Sequence, residues 1–193
     1  MITGARLTTR LTLLCHAPTR SAREGGFPAR EEPLDEGGMR KAAAFRLDGP
    51  RPTLVVTSAA CAARQTADAL RLEAMIQPAI LDIDHGEWAG RSLAEIHAAQ
   101  PDALAAWLGD PTRGTPGGET MADVADRLAD WLDGLVDQDR HILAITHAAV
   151  IRAAIAHTLG VPIGAALRID IAPLSLTTLS FTRCWRLQEI RSD

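Results

Sequence analysis

The sequence predicts an α/β fold, specifically a three-layer α/β/α sandwich with a mostly parallel central sheet. Two observations lead to this prediction. Unbroken apolar runs of strand length alternate with amphipathic helical patterns along most of the 193 residues. Strands that are apolar throughout are typical of parallel sheets, which are covered by helices on both faces. The length suits one domain, so we predict a single domain over residues 1–193.

Four short apolar runs have the length of buried strands. They cover residues 11–15, 53–57, 79–82 and 142–146. A final pair of segments, residues 174–183 and 185–190, predicts a closing β-hairpin. Because the four runs are separated by helical patterns, we expect them to pair in parallel and to share one carboxyl-terminal edge.

Capping residues and helix breakers mark the helices between these strands. The predicted helices begin near Asp35, Ser58, Ser92, Pro101, Thr120 and Ala148. Asp35 and Ser58 can cap a helix with their side chains, and Ser92–Glu95 has the pattern of a capping box. Gly160 is expected to end the last of these helices. Loops are expected at residues 17–33 and 113–118.

Composition narrows the class of protein. The formal net charge is −4 and aromatic residues make up 4% of the chain, so we expect no nucleic-acid partner. Three widely spaced cysteines form no zinc ligand set and are typical of reduced thiols in a cytoplasmic protein. No apolar run is long enough for a signal peptide or a membrane span. We expect neither a cofactor nor a metal ion. The sequence leaves open whether the chain forms a homodimer.

Two histidines occupy equivalent positions after predicted strands. His16 follows the first run, and His147 follows the run at 142–146. Ligands of open α/β sheets bind outside the carboxyl ends of the strands, so both imidazoles should face one crevice. A lone histidine after a strand is more often structural, but the pair favours a site. An imidazole is a competent nucleophile near neutral pH.

Arg64 and a group of carboxylates follow the other two predicted strands. Arg64 lies soon after the second strand, and Asp82, Asp84 and Glu87 follow the third. Each could be an ordinary surface or capping residue. Together with two histidines they match phosphoryl transfer, in which cations stabilise the phosphoryl oxygens and a carboxylic acid protonates the leaving group.

The ordered set of these segments resembles the histidine phosphatase superfamily, which has the phosphoglycerate-mutase-like fold. The segments that carry the resemblance are Cys15-His16-Ala17, Thr57-Ser58 with Ala63-Arg64-Gln65-Thr66-Ala67, the stretch 81–90, and Thr146-His147-Ala148 continuing to Arg152. The resemblance implies that His16 is phosphorylated, and that Arg64 and His147 bind the phosphate. It also implies that Asp82 is the acid–base carboxylate, with Asp84 and Glu87 as substitutes. His85 stands near these carboxylates, where the family often has an aromatic residue; it could contact substrate or be a structural residue.

The first segment departs from the family pattern of Arg-His-Gly. Cys15 stands where the family has Arg, and Ala17 where it has Gly. A charge-assisted hydrogen bond is worth about 1.5–3 kcal/mol, so its loss could lower phosphate affinity or rate about 10–100-fold. Arg20 and Arg23, in the adjoining loop, could supply a replacement guanidinium, or could be solvated loop residues.

Three functional hypotheses follow. The first is a metal-independent phosphatase that hydrolyses a small phosphorylated metabolite through a phosphohistidine on His16. The second is a weakly active or non-catalytic phosphate-binding protein on the same fold, favoured by Cys15 and Ala17. The third is a metal-dependent hydrolase that uses His16, Asp82 and His147, although the chain has no closely spaced ligand pair.

Overall fold

A computed structural model describes residues 8–136 and 138–192. The described strands are β1 (Thr9–Cys15), β2 (Leu54–Thr57), β3 (Met75–Ile76), β4 (His141–Thr146), β5 (Leu176–Phe181) and β6 (Trp185–Arg191). They form one sheet in the order β3-β2-β4-β1-β5-β6. The first four strands pair in parallel, while β5 and β6 form the antiparallel closing hairpin. The predicted α/β fold with a mostly parallel sheet is confirmed.

The described helices lie between these strands. They are α1 (Arg20–Glu24), α2 (Glu36–Ala44), α3 (Cys61–Ala69), α4 (Leu93–Ala99), α5 (Pro101–Gly109), α6 (Met121–Asp133), α7 (Ala148–Leu159) and α8 (Ile163–Ala166). Short 3₁₀ turns lie at Pro78–Ile80, Gly86–Trp88 and Pro111–Arg113. None of the described helices has both the length and the apolar character needed to cross a membrane.

The prediction of a strand at residues 79–82 is wrong. The segment begins with the 3₁₀ turn Pro78–Ile80, in which the Gln77 side chain accepts a hydrogen bond from the amide of Ala79. Pro78 has no N–H to donate to a ladder, and this favours the turn over a strand. The sheet instead takes its edge strand from β3, two exposed residues that the sequence pattern did not indicate.

Two further local predictions differ from the structure. Part of the expected loop 17–33 forms the short helix α1. Ser58 does not cap α3, because Ala60 is the N-cap residue and makes no side-chain cap bond. Asp35 does cap α2, since its carboxylate accepts a hydrogen bond from the amide of Gly38 at 2.6 Å. The Ser58 hydroxyl instead accepts a hydrogen bond from the amide of Ala60 at 3.2 Å and makes a second contact, described below.

The core lies on both faces of the sheet, as expected for a three-layer fold. On one face, Leu13 of β1 and Ala144 of β4 pack against α6 and α7. On the other face, Leu14 and Ile145 pack against α2 and α3. All four of these side chains are fully buried. The central strands β1 and β4 are thus held rigidly, which fixes the residues at their carboxyl ends.

A small aromatic cluster supports the segment that follows β3. Trp88 is fully buried and packs against Phe27 and Trp107, with ring centroids 4.9 and 6.2 Å away. Its indole N–H donates to Oε1 of Gln100 at 2.8 Å. Trp88 is therefore a structural residue beneath the helices that follow it, rather than a residue at a pocket mouth.

Candidate active site

A cavity of about 330 Å³ lies at the carboxyl ends of β1 and β4. The residues that line it include His16, Thr19, Arg30, Glu32, Ala60, Ala62, Asp82, Asp84, His85, Glu119 and His147. The remaining lining residues are mostly apolar. This is the edge at which open α/β sheets bind their ligands. The structure therefore brings both predicted histidines and two of the predicted carboxylates to one cavity.

His16 is held in one tautomer at the end of β1. Its Nδ1 lies 2.7 Å from the carbonyl oxygen of Ala17. A carbonyl only accepts hydrogen bonds, so Nδ1 carries the proton and Nε2 keeps its lone pair. Burial and the nearby His147 lower the pKa of His16 to about 4. The imidazole is therefore neutral at pH 7, as a nucleophile must be.

His147 lies beside His16 and is almost fully buried. The two ring centroids are 4.9 Å apart, and the rings meet edge to face. Nε2 of His147 is 2.8 Å from the hydroxyl oxygen of Ser58. The short distance between the two rings places both imidazoles at the same cavity. The two residues are 131 positions apart in the chain and meet because β1 and β4 are neighbours.

Asp82 lies against the other side of His147. Its Oδ2 is 3.2 Å from Nδ1 of His147, an ion-pair distance, although the direction is not that of a regular hydrogen bond. Burial acts to raise the pKa of Asp82, but His147, with smaller effects of His85 and His16, holds that pKa well below its ordinary value. Asp82 is therefore a carboxylate in the unliganded protein.

Two helices begin at the cavity without a side-chain cap. Ala60, the N-cap residue of α3, and His147, the N-cap residue of α7, both line the cavity and make no side-chain cap bond. The first amide groups of a helix have no partner within the helix, and they attract anions. The two helix starts supply N–H donors at a site that lacks the family arginine.

Cys15 and Ala17 adopt structural roles around His16. Cys15 is 3% exposed and packs in the core beneath α7. Burial, with Asp82 nearby, raises the pKa of its thiol to about 12, so the thiol is neutral. Ala17 does not have a positive φ, and its amide donates to Oγ1 of Thr66 at 3.0 Å. The backbone here tolerates Ala without strain.

The structure does not bring the predicted arginines to the cavity. Arg64 points to the surface, where its side chain is 45% exposed and lies 3.1 Å from Glu31. Arg20 pairs with Glu24 on α1 at 2.8 Å, and Arg23 pairs with Asp35. The three guanidinium groups are therefore engaged by nearby carboxylates outside the site, and the expected replacement for the family arginine does not come from Arg20 or Arg23.

The other predicted polar residues divide between the cavity and the surface. Asp84 and His85 line the cavity, whereas Glu87 is exposed and does not. Burial lowers the pKa of His85, whose ring packs edge-on against Phe27 at 5.2 Å. Among residues 8–136 and 138–192, no group of three or more His, Cys, Asp or Glu side chains could hold a metal ion.

Sequence reasoning missed Arg30, the only arginine among the described residues that line the cavity. It lies in the loop after α1, and among the described residues it makes no ion pair; no motif marks it. Two of the carboxylates that line the cavity are bound by other residues. Glu32 accepts hydrogen bonds from Ser21, and Glu119 forms an ion pair with Arg127. Arg30 is thus the cation at the cavity that is free to meet a ligand.

Comparison with known proteins identifies the family to which this fold belongs. The family model of the histidine phosphatase superfamily, branch 1, matches residues 11–192. The chain belongs to that superfamily, and its mutase-like fold is confirmed.

Relatives with named activities are phosphatases. The chain is 35% identical over 136 residues to a glucosyl-3-phosphoglycerate phosphatase of Mycolicibacterium vanbaalenii, covering 63% of this chain and 60% of the relative. It is 30% identical over 187 residues to a bifunctional protein of Mycobacterium tuberculosis, covering 90% of this chain and 51% of that protein. The chain thus spans about half the length of this larger relative.

A solved structure of a phosphatase has the same fold as this chain. The mycobacterial glucosyl-3-phosphoglycerate phosphatase, solved with VO3, superimposes with a TM-score of 0.78 at 28% identity. The match covers 95% of this chain and 98% of that one.

Proposed function

We propose that this protein hydrolyses a small phosphomonoester without a metal ion, through a phosphohistidine on His16. The observation that carries the proposal is the state of His16, whose Nδ1 is tied to the Ala17 carbonyl while Nε2 keeps its lone pair beside His147. The phosphatase activity of the relatives supports the reaction class.

The first step transfers the phosphoryl group to the protein. Nε2 of His16 attacks phosphorus, the bond from phosphorus to the ester oxygen breaks, and the leaving oxygen takes a proton from Asp82. Asp82 is ionised in the free protein, but a bound phosphate dianion is a like charge that raises the pKa of that carboxyl. Substrate binding thus prepares the acid that the step requires.

The second step releases phosphate. The Asp82 carboxylate takes a proton from water, the water oxygen attacks phosphorus, and the bond between phosphorus and Nε2 breaks. His147 and the amide groups at the starts of α3 and α7 stabilise the charge on the phosphoryl oxygens. Arg30 is the remaining cation at the cavity.

The size of the cavity supports a small substrate. A volume of about 330 Å³ lies at the lower end of the range for small-molecule sites. The walls next to Asp84 and His85 include apolar residues such as Leu81 and Ile83. We therefore infer a compact phosphorylated metabolite, as the sequence predicts.

Trapping the intermediate tests the proposal. The chain is mixed with radiolabelled aryl phosphate, denatured within one turnover, and analysed for label that is stable in base and lost in acid, as phosphohistidine is. We expect label on the unmodified chain and none on His16→Ala. The matched control His97→Ala, an exposed residue of α4 outside the cavity, should be labelled normally. Label on His16→Ala contradicts the proposed nucleophile.

A weakly active or non-catalytic protein on the same fold is the second candidate, favoured by Cys15 and Ala17 in place of the family residues and by the charge of the cavity. Four carboxylates line it, those of Glu32, Asp82, Asp84 and Glu119, against one guanidinium. This balance weakens the attraction for a dianion. Vanadate binding, measured by calorimetry, would favour this role if the protein also gave no burst of released phenol and no trapped label. Turnover that survives strong chelators separates the proposed phosphatase from a metal-dependent hydrolase.

A further inference from the structure

A second and larger cavity lies at the amino-terminal ends of β1 and β4, at the opposite end of these strands from His16. Its volume is about 840 Å³. The first residues of β1 and β4 contribute Arg10, Thr12 and His141, and β6 contributes Glu189 and Arg191. The loop from 45 to 52 and the end of α3 form the other wall. This cavity shares no lining residue with the candidate active site.

The strand register explains why this part of the sheet is open. On one face of the sheet, Leu14 pairs with Ile145, and both pack beneath α2 and α3. Two and four residues earlier on β1, the same face presents Thr12 and Arg10, and Arg10 pairs with His141. The covering helices therefore protect the apolar half of this face, while its basic half forms the floor of the cavity.

Positive charge is concentrated in the lining. Five arginines line the cavity: Arg10, Arg46, Arg51, Arg71 and Arg191. Only two carboxylates, those of Asp48 and Glu189, line it with them. The chain as a whole carries a net charge of −4, so the excess is local. A local surplus of about three positive charges raises the concentration of anions at the cavity.

None of the five guanidinium groups makes an ion pair within residues 8–136 and 138–192. Arg46 donates to the last carbonyl groups of α2, which is a structural contact. Nε of Arg191 is buried and finds no acceptor among the described residues. A buried donor without a partner is uncommon in a folded protein, so the described residues supply no acceptor for this side chain.

We propose that this second cavity, here named the arginine cavity, binds a small anion that contains a condensed phosphate chain, such as a diphosphate or triphosphate. Guanidinium groups bind phosphate oxygens in pairs, and several groups around one volume suit linked phosphates better than a single phosphate. Half-buried Leu47, Leu70 and Leu72 line the same cavity and can contact an organic group attached to the chain.

Titration calorimetry with inorganic tripolyphosphate on the full chain tests this site. The test variant is Arg10→Gln with Arg51→Gln, two exposed residues of the lining. The charge-matched control is Arg113→Gln with Arg168→Gln, two exposed residues outside it. We expect the test variant to bind at least about tenfold more weakly, because two charged contacts are lost, and the control to bind as the unmodified chain does. Equal affinity of all three proteins overturns the proposal.

Two further arms locate and identify the ligand. His16→Ala should bind tripolyphosphate normally; loss of binding would place the anion at the candidate active site and overturn the proposal. A nucleoside diphosphate that binds more tightly than tripolyphosphate shows that the leucines contribute, and equal binding shows that the phosphate chain alone is recognised. A short single-stranded oligonucleotide is the last probe. It would overturn a small-anion site if it bound the unmodified chain more tightly than tripolyphosphate and the nucleoside diphosphate do, and if the test variant and the control variant weakened its binding equally.

Discussion

Ala62→Arg should strengthen phosphate binding at the candidate active site. Ala62 lines the cavity in the first turn of α3 and is 5% exposed. Arg64 lies two residues later, about 200° around the helix, and its side chain faces Glu31 at the surface. A guanidinium at position 62 would enter the cavity, where Arg30 is the only described arginine.

The expected gain follows from one charge-assisted contact to the phosphate. Such a contact is worth about 1.5–3 kcal/mol, which is about 10–100-fold in affinity. The larger side chain is expected to lower the free energy of unfolding by about 1–3 kcal/mol, because Ala62 is buried. The assay is inhibition of aryl phosphate hydrolysis by inorganic phosphate, with kcat/KM measured on the same samples and the fold checked by thermal unfolding.

Two variants control this experiment. Ala106→Arg adds the same charge at an exposed position of α5 and should leave phosphate inhibition unchanged. Arg64→Ala should change kcat/KM by less than about twofold, since exposed ion pairs contribute little. A folded Ala62→Arg protein with unchanged phosphate affinity, or a loss of orders of magnitude in Arg64→Ala, would refute this account of the cavity.

Three other perturbations test the site. The neutral fraction of His16, followed by NMR of its imidazole in the unliganded protein, should fall as the pH is lowered through about 4, because burial and His147 disfavour protonation; a midpoint near 6.5 would contradict the lowered pKa. Ser58→Ala removes the partner of His147 Nε2 and should lower kcat about tenfold with little change in KM, measured by steady-state kinetics. Gly86→Ala should lower the melting temperature by several degrees in a thermal scan, since φ is +48° and a Cβ would lie 2.4 Å from Gly117; an unchanged melting temperature would show that the loop relaxes.

The parts of the site that could be predicted from sequence depend on buried strands. The apolar runs before His16 and His147 fix where each strand ends, and parallel pairing then brings the two ends together. Asp82 is predicted both by its place after the third apolar run and by its place in an ordered family segment. That run contains a 3₁₀ turn rather than a strand, and Asp82 still lines the cavity. The apolar run therefore predicts the place of Asp82 but not the local backbone structure that carries it.

The arginines show what could not be predicted. Whether Arg64 faces the cavity depends on the residue at which α3 begins, and a shift of two residues turns a helical side chain to the opposite face. Arg20 and Arg23 are near the site in sequence, but Glu24 and Asp35 lie within reach of them and bind them instead. Arg30 has no distinguishing neighbours in sequence and reaches the cavity through a loop.

Strand β1 runs from Arg10 at one end of the molecule to His16 just past the other, with fully buried leucines between them. Six residues of extended chain span about 20 Å. That separation exceeds the distance of about 8–10 Å over which dissolved salt lets exposed charges influence one another. A charge change at Arg10 should therefore leave the titration of His16 undisturbed, so the two ends of this strand can be engineered independently.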